Sequence, residues 1–268
     1  MTQSRRILLL ITDLEIGGTP TVVRELAIRL RRPGVDTEVA CLSPWGPVAD
    51  QLKNAGVRVT ALGARTVARL PQVARRTIQI VRTGRFDIVF SFLTHANAVA
   101  AIAALFCPGV RFFQSIQTTQ RTPRWHWWLA GVSQLAAERI IVPSESAALC
   151  ARDWSLIAPE KIVIISNAVD LEKSVMQHPK SDMELNSQVR IGFVGRLDPV
   201  KRIPDLIKSI GQLDERFVLH VFGDGEQRKS IEQLIVDRGL SHRITLHGAV
   251  ARPQGALERI DVLVLPSE

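Results

Sequence analysis

The sequence predicts an α/β protein of two doubly wound units, each a parallel sheet wrapped by helices, with the second unit incomplete. Three observations carry this expectation. Short continuous apolar runs alternate strictly with amphipathic stretches of helical period, the signature of a parallel sheet with helices on both faces. The alternation breaks over Leu171 to Gln188, which lacks periodicity and holds Lys, Asp, Ser, Pro and His, and it restarts at Val189. A length of 268 residues with 46% hydrophobic and 22% charged content suits one or two buried cores. The expected boundaries are a first domain over 1–170, a linker over 171–188 and a second domain over 189–268.

Taken in order, Ile7 to Ile11 reads as a buried parallel strand. After Asp13 to Gly18, Thr19 suits an N-cap and Pro20 the first helical position. A helix is expected to about Arg31, with Val22, Val23, Leu26, Ala27 and Leu30 on one face. The pattern repeats as a strand from Thr37 to Leu42 and a helix from Pro47 to Ala55, then a strand from Arg58 to Ala61 and a helix from Leu70 to Arg82. A strand from Asp87 to Phe92 precedes a helix from Ala96 to Phe106, and a strand from Arg111 to Ile116 precedes a helical stretch from Trp125 to Ala137. Arg139 to Val142 is a strand, Ser144 caps a helix to about Trp154, and Lys161 to Ile165 is a strand closed by a turn with Asn167 and Asp170.

In the second domain the apolar run Val189 to Val194 is a strand that Gly195 ends. A turn with Asp198 and Pro199 leads to a helix from Ile203 to Leu213. Strands from Phe217 to Phe222, Ile244 to His247 and Val262 to Leu265 alternate with helices from Gln227 to Val236 and Gln254 to Arg259. The last strand lies inside the pattern with nothing after it to cover the sheet, so the sequence is expected to be truncated.

Charge and composition narrow the function. The net charge is +8, which points to anionic partners such as nucleotides or anionic headgroups. Tyr is absent and aromatics are few, which argues against a reader of single-stranded nucleic acid. Cys41, Cys107 and Cys150 form no Cys-x-x-Cys pair and read as reduced, buried small residues of a cytoplasmic protein. The start lacks a signal-peptide pattern, and no apolar run approaches the roughly 18 residues of a membrane span. Membrane contact, if made, is therefore peripheral.

Two basic stretches mark the first domain. Arg65 to Arg85 carries Arg65, Arg69, Arg75, Arg76, Arg82 and Arg85 without an acidic residue, interleaved with Val73, Ile78, Ile80 and Val81. It reads either as a solvated helix face or as a surface that rests on anionic lipid. Arg121 to Trp128 places three Trp beside two Arg, which suits a bilayer interface, an acceptor groove or a buried packing cluster. Gly17 and Gly18 let a backbone approach a ligand closely, or simply form a tight βα turn. The G-x-G-x-x-G dinucleotide fingerprint is absent there. The sharper signal is Gly195 to Lys201, which presents Arg196 and Lys201 where a strand hands over to a helix. Ligands of open α/β sheets bind at that end, and helix N-termini favour anions. This loop reads as a diphosphate clamp.

Six segments in chain order resemble the GT-B glycosyltransferases, in particular the large retaining family 4. Ile16 to Val23 resembles the first-loop Gly-Gly motif, Ile141 to Ser146 the Val-x-x-Ser segment, and Lys161 to Asp170 the Lys-Ile-x-Val-Ile-Pro-Asn-Gly-Val-Asp run. Val194 to Lys201 is similar to Val-Gly-Arg-Leu-x-x-x-Lys, Phe222 to Gly225 to Gly-Asp-Gly, and Asp261 to Ser267 to Asp-Val-x-Val-Leu-Pro-Ser. The resemblance implies two Rossmann-like domains, the first for the acceptor and the second for a nucleotide-sugar donor. It implies transfer with retention from a UDP- or GDP-sugar to a saccharide or lipid-linked acceptor, with no metal and no cofactor. By position, Arg196 and Lys201 would grip the donor diphosphate, the Gly17 and Gly18 backbone would face the same phosphates, and Ala249 and Val250 would hold the base.

The departures are specific. Thr19-Pro20 replaces Ala-Glu in the first loop, and Arg202 replaces a common Gly after the lysine. Gln117 stands where many relatives carry a His near the reacting sugar, and Gln cannot act as a base near neutral pH. Gln117 and His95 are the catalytic candidates, His95 having a structural reading as well. The family's pair of carboxylates that meets the sugar and ribose would fall past Glu268. The expected setting is the cytoplasm, at the inner face of the membrane, with Arg65–Arg85 and Trp125–Trp128 as the contacting surface and no nucleic-acid partner. Two other readings stay open here: a non-catalytic membrane- or partner-binding fragment, and another GT-B enzyme such as a nucleotide-sugar 2-epimerase.

Overall fold

The structure, a computed structural model, describes residues 4–168, 188–250 and 253–267. The expected linker up to residue 187, with Asp170, and Glu268 lie outside the described residues. The chain divides into two compact units, Met1–Ala168 and Val169–Glu268.

The first unit alternates β1 (Arg5–Ile11), α1 (Gly18–Leu30), β2 (Val35–Cys41), α2 (Pro47–Asn54), β3 (Arg58–Ala61), α3 (Leu70–Gly84) and β4 (Ile88–Phe92). It continues with α4 (Thr94–Phe106), β5 (Arg111–Ser115), α5 (Trp125–Ser133), β6 (Arg139–Val142), α6 (Glu145–Ser155) and β7 (Ile162–Ile164). The seven strands form one parallel sheet in the order β3-β2-β1-β4-β5-β6-β7. Leu9 of β1 lies opposite Val39 on one side and Phe90 on the other.

Period-2 alternation sorts the core into two layers. Leu9, Ile11, Val39 and Cys41 pack with Val23 and Ala27 of α1 and Val48 and Leu52 of α2. Leu8, Leu10 and Ala40 face the other way, onto Val73 and Val81 of α3 and Val99 and Ala103 of α4. Next to α4 on that side sit α5 and α6, whose core holds Trp127, Ile140, Val142, Ala147 and Ala151. Right-handed crossovers demand this split, because the strand order reverses once between β1 and β4.

In the second unit β8 (Val189–Val194), α7 (Ile203–Ile210), β9 (Phe217–Phe222), α8 (Arg228–Asp237), β10 (Ile244–Gly248), α9 (Pro253–Leu257) and β11 (Val262–Leu263) follow in turn. The sheet is parallel with order β10-β9-β8-β11. Ile203, Leu206, Ile207 and Ile210 of α7 pack with Ile231 and Ile235 of α8 on one face. Ala256 of α9, Ile260 and Phe222 form a smaller core on the other.

Several details differ from the sequence expectation. Gly17, in extended backbone, occupies the cap position of α1, so Thr19 and Pro20 lie inside the helix. The cause is local: Thr21 donates both its N–H and its hydroxyl to the Gly17 carbonyl, which pulls the helix start upstream. The α4 helix starts at Thr94 rather than Ala96, so His95 is helical; the Thr12 hydroxyl accepts the Ala96 N–H that a helix start leaves unpaired. Trp125 to Ala137 is α5 followed by a 3-10 turn over Gln134–Ala136. Cys41 and Cys107 are buried, but Cys150 is only half-buried. No helix among the described residues is long and apolar enough to cross a membrane.

Candidate active site

A doubly wound sheet opens a crevice where its strand order reverses, at the carboxyl ends of the strands. In the second unit that point lies between β8 and β11. The loop after β8 carries Gly195 to Lys201, and the segment that follows β11 carries Ser267. Arg196 and Lys201 both sit at this mouth. Pro199–Lys201 forms a 3-10 turn, and Lys201 Nζ donates to Ser267 Oγ at 3.3 Å. Arg196 is largely exposed and pairs with Asp198 at 2.5 Å. Asp198 is a partner that motif reading did not single out, and it holds the Arg196 guanidinium against its own loop.

Backbone bonds weld this loop to its neighbours. Gly195 N–H donates to Phe222 O at 2.9 Å, Leu197 N–H to Asp224 O at 3.0 Å and Gln227 N–H to Leu197 O at 3.0 Å. Gly223 N–H donates to Gly248 O at 2.7 Å, which draws in the end of β10. The Gly-Asp-Gly segment is glycine for a steric reason. Gly223 has φ +153°, and a Cβ there would overlap the Gly195 carbonyl oxygen outright; one on Gly225 would sit 2.8 Å from Leu197 N and O. Leu197 is fully buried and anchors the loop from below. Ala249 and Val250 leave β10 beside this weld, Ala249 exposed and Val250 half-buried against the Phe222 core. The structure therefore places Arg196 and Lys201 on one loop and Ala249 and Val250 on another, joined through the loop after β9. Arg202, which stands where relatives carry Gly, has φ +50° and pairs with Asp205 at 2.7 Å. The glycine preference there is a left-handed backbone, which Arg202 adopts at an energetic cost.

On the α9 side of the same sheet, His220 Nδ1 lies 2.8 Å from His247 Nε2, and the His247 ring stacks on Phe222 with centroids 4.3 Å apart. Both imidazoles are pushed below the usual histidine range, first by burial and then by the nearby Arg259 cation.

In the first unit the order reverses between β1 and β4. Gly17 and Gly18 follow β1; Gly18 is exposed, and a Cβ on it would meet nothing within 4 Å. His95 lies in the first turn of α4, after Leu93, whose φ is +72°. Gln117 follows β5, where its Nε2 donates to Ser115 Oγ at 2.7 Å and its Oε1 accepts from Asn167 Nδ2 at 3.4 Å. Beneath it runs a buried polar network. Asn97 Nδ2 donates to Ser115 O at 3.0 Å, and Ser91 Oγ donates to Asn97 Oδ1 at 2.8 Å.

A small cavity of about 40 Å³ touches Gln117, Thr118, Thr94 and His126. His126, which sequence reading passed over inside the Trp run, is thus the imidazole on the Gln117 cavity. His95 is set behind it, 6.5 Å away between ring centroids, with Trp125 edge-on to both. Burial, and then His95, lower the His126 pKa. A larger groove of about 710 Å³ is lined by Arg121, Arg124, Trp127, Trp128, Trp154 and Leu156, so both arginines and two of the tryptophans of the Arg121 to Trp128 run share it, with Trp127 itself buried. Among the described residues no group of three or more His, Cys, Asp or Glu is placed to hold a metal ion.

Two parallel doubly wound sheets, each with ligand-grade loops at its reversal point, define the GT-B class, and solved GT-B structures superpose on the chain. The Anabaena protein HepE, in complex with UDP and glucose, matches with a TM-score of 0.83 at 18% identity, covering 98% of this chain and 74% of that one. At that identity the likeness is one of fold. Residues 16–173, more than half of the chain, match Glycosyltransferase Family 4, and residues 188–268 match Glycosyl transferases group 1. The chain belongs to glycosyltransferase family 4.

Curated relatives agree. Poly(ribitol-phosphate) α-N-acetylglucosaminyltransferase of Staphylococcus aureus is 29% identical over 113 residues, 41% of this chain and 21% of that enzyme. The N-acetylgalactosamine-N,N'-diacetylbacillosaminyl-diphospho-undecaprenol 4-α-N-acetylgalactosaminyltransferase of Campylobacter jejuni is 25% identical over 209 residues, 74% of this chain and 56% of that enzyme.

Proposed function

We propose that the protein transfers a sugar, with retention of configuration, from a UDP- or GDP-sugar to a saccharide or lipid-linked acceptor. The observation that carries this is the pair Arg196 and Lys201 on a welded loop at the reversal point of the second sheet. The leaving group of such a transfer is a nucleoside diphosphate. Two fixed cations stabilise its developing charge without requiring a metal ion. In this reading residues 189–268 bind the donor, with Ala249 and Val250 at the base, and residues 1–170 receive the acceptor. Gly17 and Gly18 offer an open backbone for phosphate within the first domain. Gln117 donates a hydrogen bond near the reacting sugar, and His95 supports that wall. The name of the Campylobacter relative, a transferase acting on a diphospho-undecaprenol glycan, supports a lipid-linked acceptor. Transfer then takes place at the inner face of the cytoplasmic membrane. The HepE complex with UDP supports a uridine donor.

The test is calorimetric titration with UDP and GDP. A charge-assisted hydrogen bond contributes about 1.5–3 kcal/mol. Arg196 must first release Asp198, an exposed pair worth at most about 1 kcal/mol. Arg196→Ala should therefore weaken binding roughly tenfold, and Arg196→Ala with Lys201→Ala on the order of 100-fold. Wild-type affinity in the double variant would sink the assignment of the clamp. Wild-type protein that binds neither nucleotide would sink the proposed donor class.

A further inference from the structure

The outer surface of the α3–α4 layer in the first unit carries a combination that a water-facing surface rarely shows. The α4 helix contains no Asp, Glu, Lys or Arg, and it is apolar on its solvent side as well as its core side. Ala96, Val99, Ala100 and Ala103 are buried, while Ile102, Leu105 and Phe106 are exposed, Leu105 at 77%. A helix that is apolar all round normally has an apolar environment all round. Here one half of that environment is missing.

The neighbouring helix says what kind of cover fits. Packed along α4 is α3, and Arg82 of α3 donates from Nε and Nη2 to the Phe106 carbonyl at 3.0 and 2.7 Å, so the two features meet at one edge. Arg65, Arg69, Arg75 and Arg85 are exposed and have no carboxylate partner among the described residues. Some arginines elsewhere in the unit, Arg6, Arg58, Arg111 and Arg152, each sit in an ion pair. From Gln51 to Ala137 the only acidic side chain is Asp87, so the surface offers no counter-charge of its own. On the far side of α4, α5 adds Trp128, exposed at 69%. Apolar side chains, a Trp and a row of unpaired guanidinium groups match the layers of an anionic bilayer: acyl boundary, headgroup interface and phosphate.

We propose that the face formed by the outer sides of α3 and α4 docks the protein on an anionic lipid bilayer, with Ile102, Leu105 and Phe106 entering the interface and the arginines in and flanking α3 meeting lipid phosphates. This deepens the reading of a membrane-presented acceptor by naming the contacting face. The sequence pointed to the basic stretch and the Trp run; the apolar helix between them is the part that folding reveals. An uncharged protein partner would explain the apolar strip but leave the arginines unmatched.

The test is sedimentation of the purified chain with vesicles of phosphatidylcholine containing phosphatidylglycerol, against vesicles of phosphatidylcholine alone. Binding is expected only to the anionic vesicles and should fall as salt is raised. Arg75→Gln with Arg85→Gln should lower the partition coefficient about 30-fold, at roughly one decade or somewhat less per cation. Leu105→Ser with Phe106→Ser, both at exposed positions, should lower it at least tenfold with an unchanged melting temperature. The inference is overturned if the wild-type chain stays in the supernatant with anionic vesicles at low salt, or if either variant sediments like wild type. It is also overturned if Leu105→Ser with Phe106→Ser converts a wild-type dimer to monomer in analytical ultracentrifugation, which would make a second copy the cover. Wild-type protein that binds anionic vesicles but transfers no sugar would instead count against the proposed enzyme activity and leave the docking face standing.

Discussion

Replacing Gly223 by Ala should dismantle the candidate donor site through the backbone alone. The new Cβ would overlap the Gly195 carbonyl oxygen, and both partners are main chain, so no side chain can swing aside. The loops after β8 and β9 must separate. That breaks the bonds from Leu197 N–H to Asp224 O and from Gln227 N–H to Leu197 O, both 3.0 Å, with about 1 kcal/mol net for each. The φ of +153° adds about 1–3 kcal/mol of strain for any residue with a Cβ. The total is about 3–5 kcal/mol. For a unit of about 100 residues, 1 kcal/mol shifts the melting temperature by about 4–8 °C, so Gly223→Ala should lower it by roughly 12 °C or more. Nucleotide binding should go with it, since Arg196 and Lys201 ride on the displaced loop. Gly255→Ala is the control. Gly255 lies in α9 with nothing within 4 Å of an added Cβ, and Ala there should be neutral or stabilising by up to about 1 kcal/mol. Differential scanning calorimetry of both variants decides the matter. Gly223→Ala melting within 2 °C (about 0.5 kcal/mol) of wild type would refute the steric weld.

Two further outcomes are expected. Arg202→Gly relieves a φ of +50° and gives up side-chain interactions at a half-exposed position, the pair with Asp205 among them, so it should be neutral to stabilising by about 1 kcal/mol in urea unfolding; a clear loss would mean that the side-chain interactions outweigh the backbone. The His220–His247 pair makes the second unit sensitive to mild acid. Both folded-state pKa values lie below the ordinary 6.5, so between those values and 6.5 the unfolded chain binds more protons. The pair's contribution is full above pH 6.5 and is lost as pH falls below it, well before Asp261, whose carboxyl the Arg190 hydrogen bond holds below the ordinary 3.8, begins to titrate. His247→Phe should flatten the slope of melting temperature between pH 6.5 and 5, and an unchanged slope would exclude the pair as its source.

Much of the architecture was legible in the sequence because a parallel sheet buried on both faces writes itself as continuous apolar runs. Val189 to Val194 needed no partner information to be read as a strand, and β8 has those bounds. Helix starts were less legible, since Thr19 and Thr21 are equally good hydroxyl donors and only the folded turn shows that Thr21 bonds Gly17. Arg196 and Lys201 were legible by spacing. That Asp198 pairs with Arg196, and that His126 rather than His95 reaches the Gln117 cavity, were not, because residues adjacent in sequence give no direction for their side chains.

The sequence by itself determined the strand and helix order, the glycine-bearing loops and the excess of positive charge, all of which follow from local period, backbone freedom and composition. Only tertiary structure decided which loops share a reversal point and which helices share a face. Strand order within a sheet is set by long-range pairing, and it is that order, β3-β2-β1-β4 in one sheet and β10-β9-β8-β11 in the other, that puts the Gly17–Gly18 turn and the Gly195–Arg196 turn at the two reversal points and lays an uncharged α4 against the arginine-bearing α3.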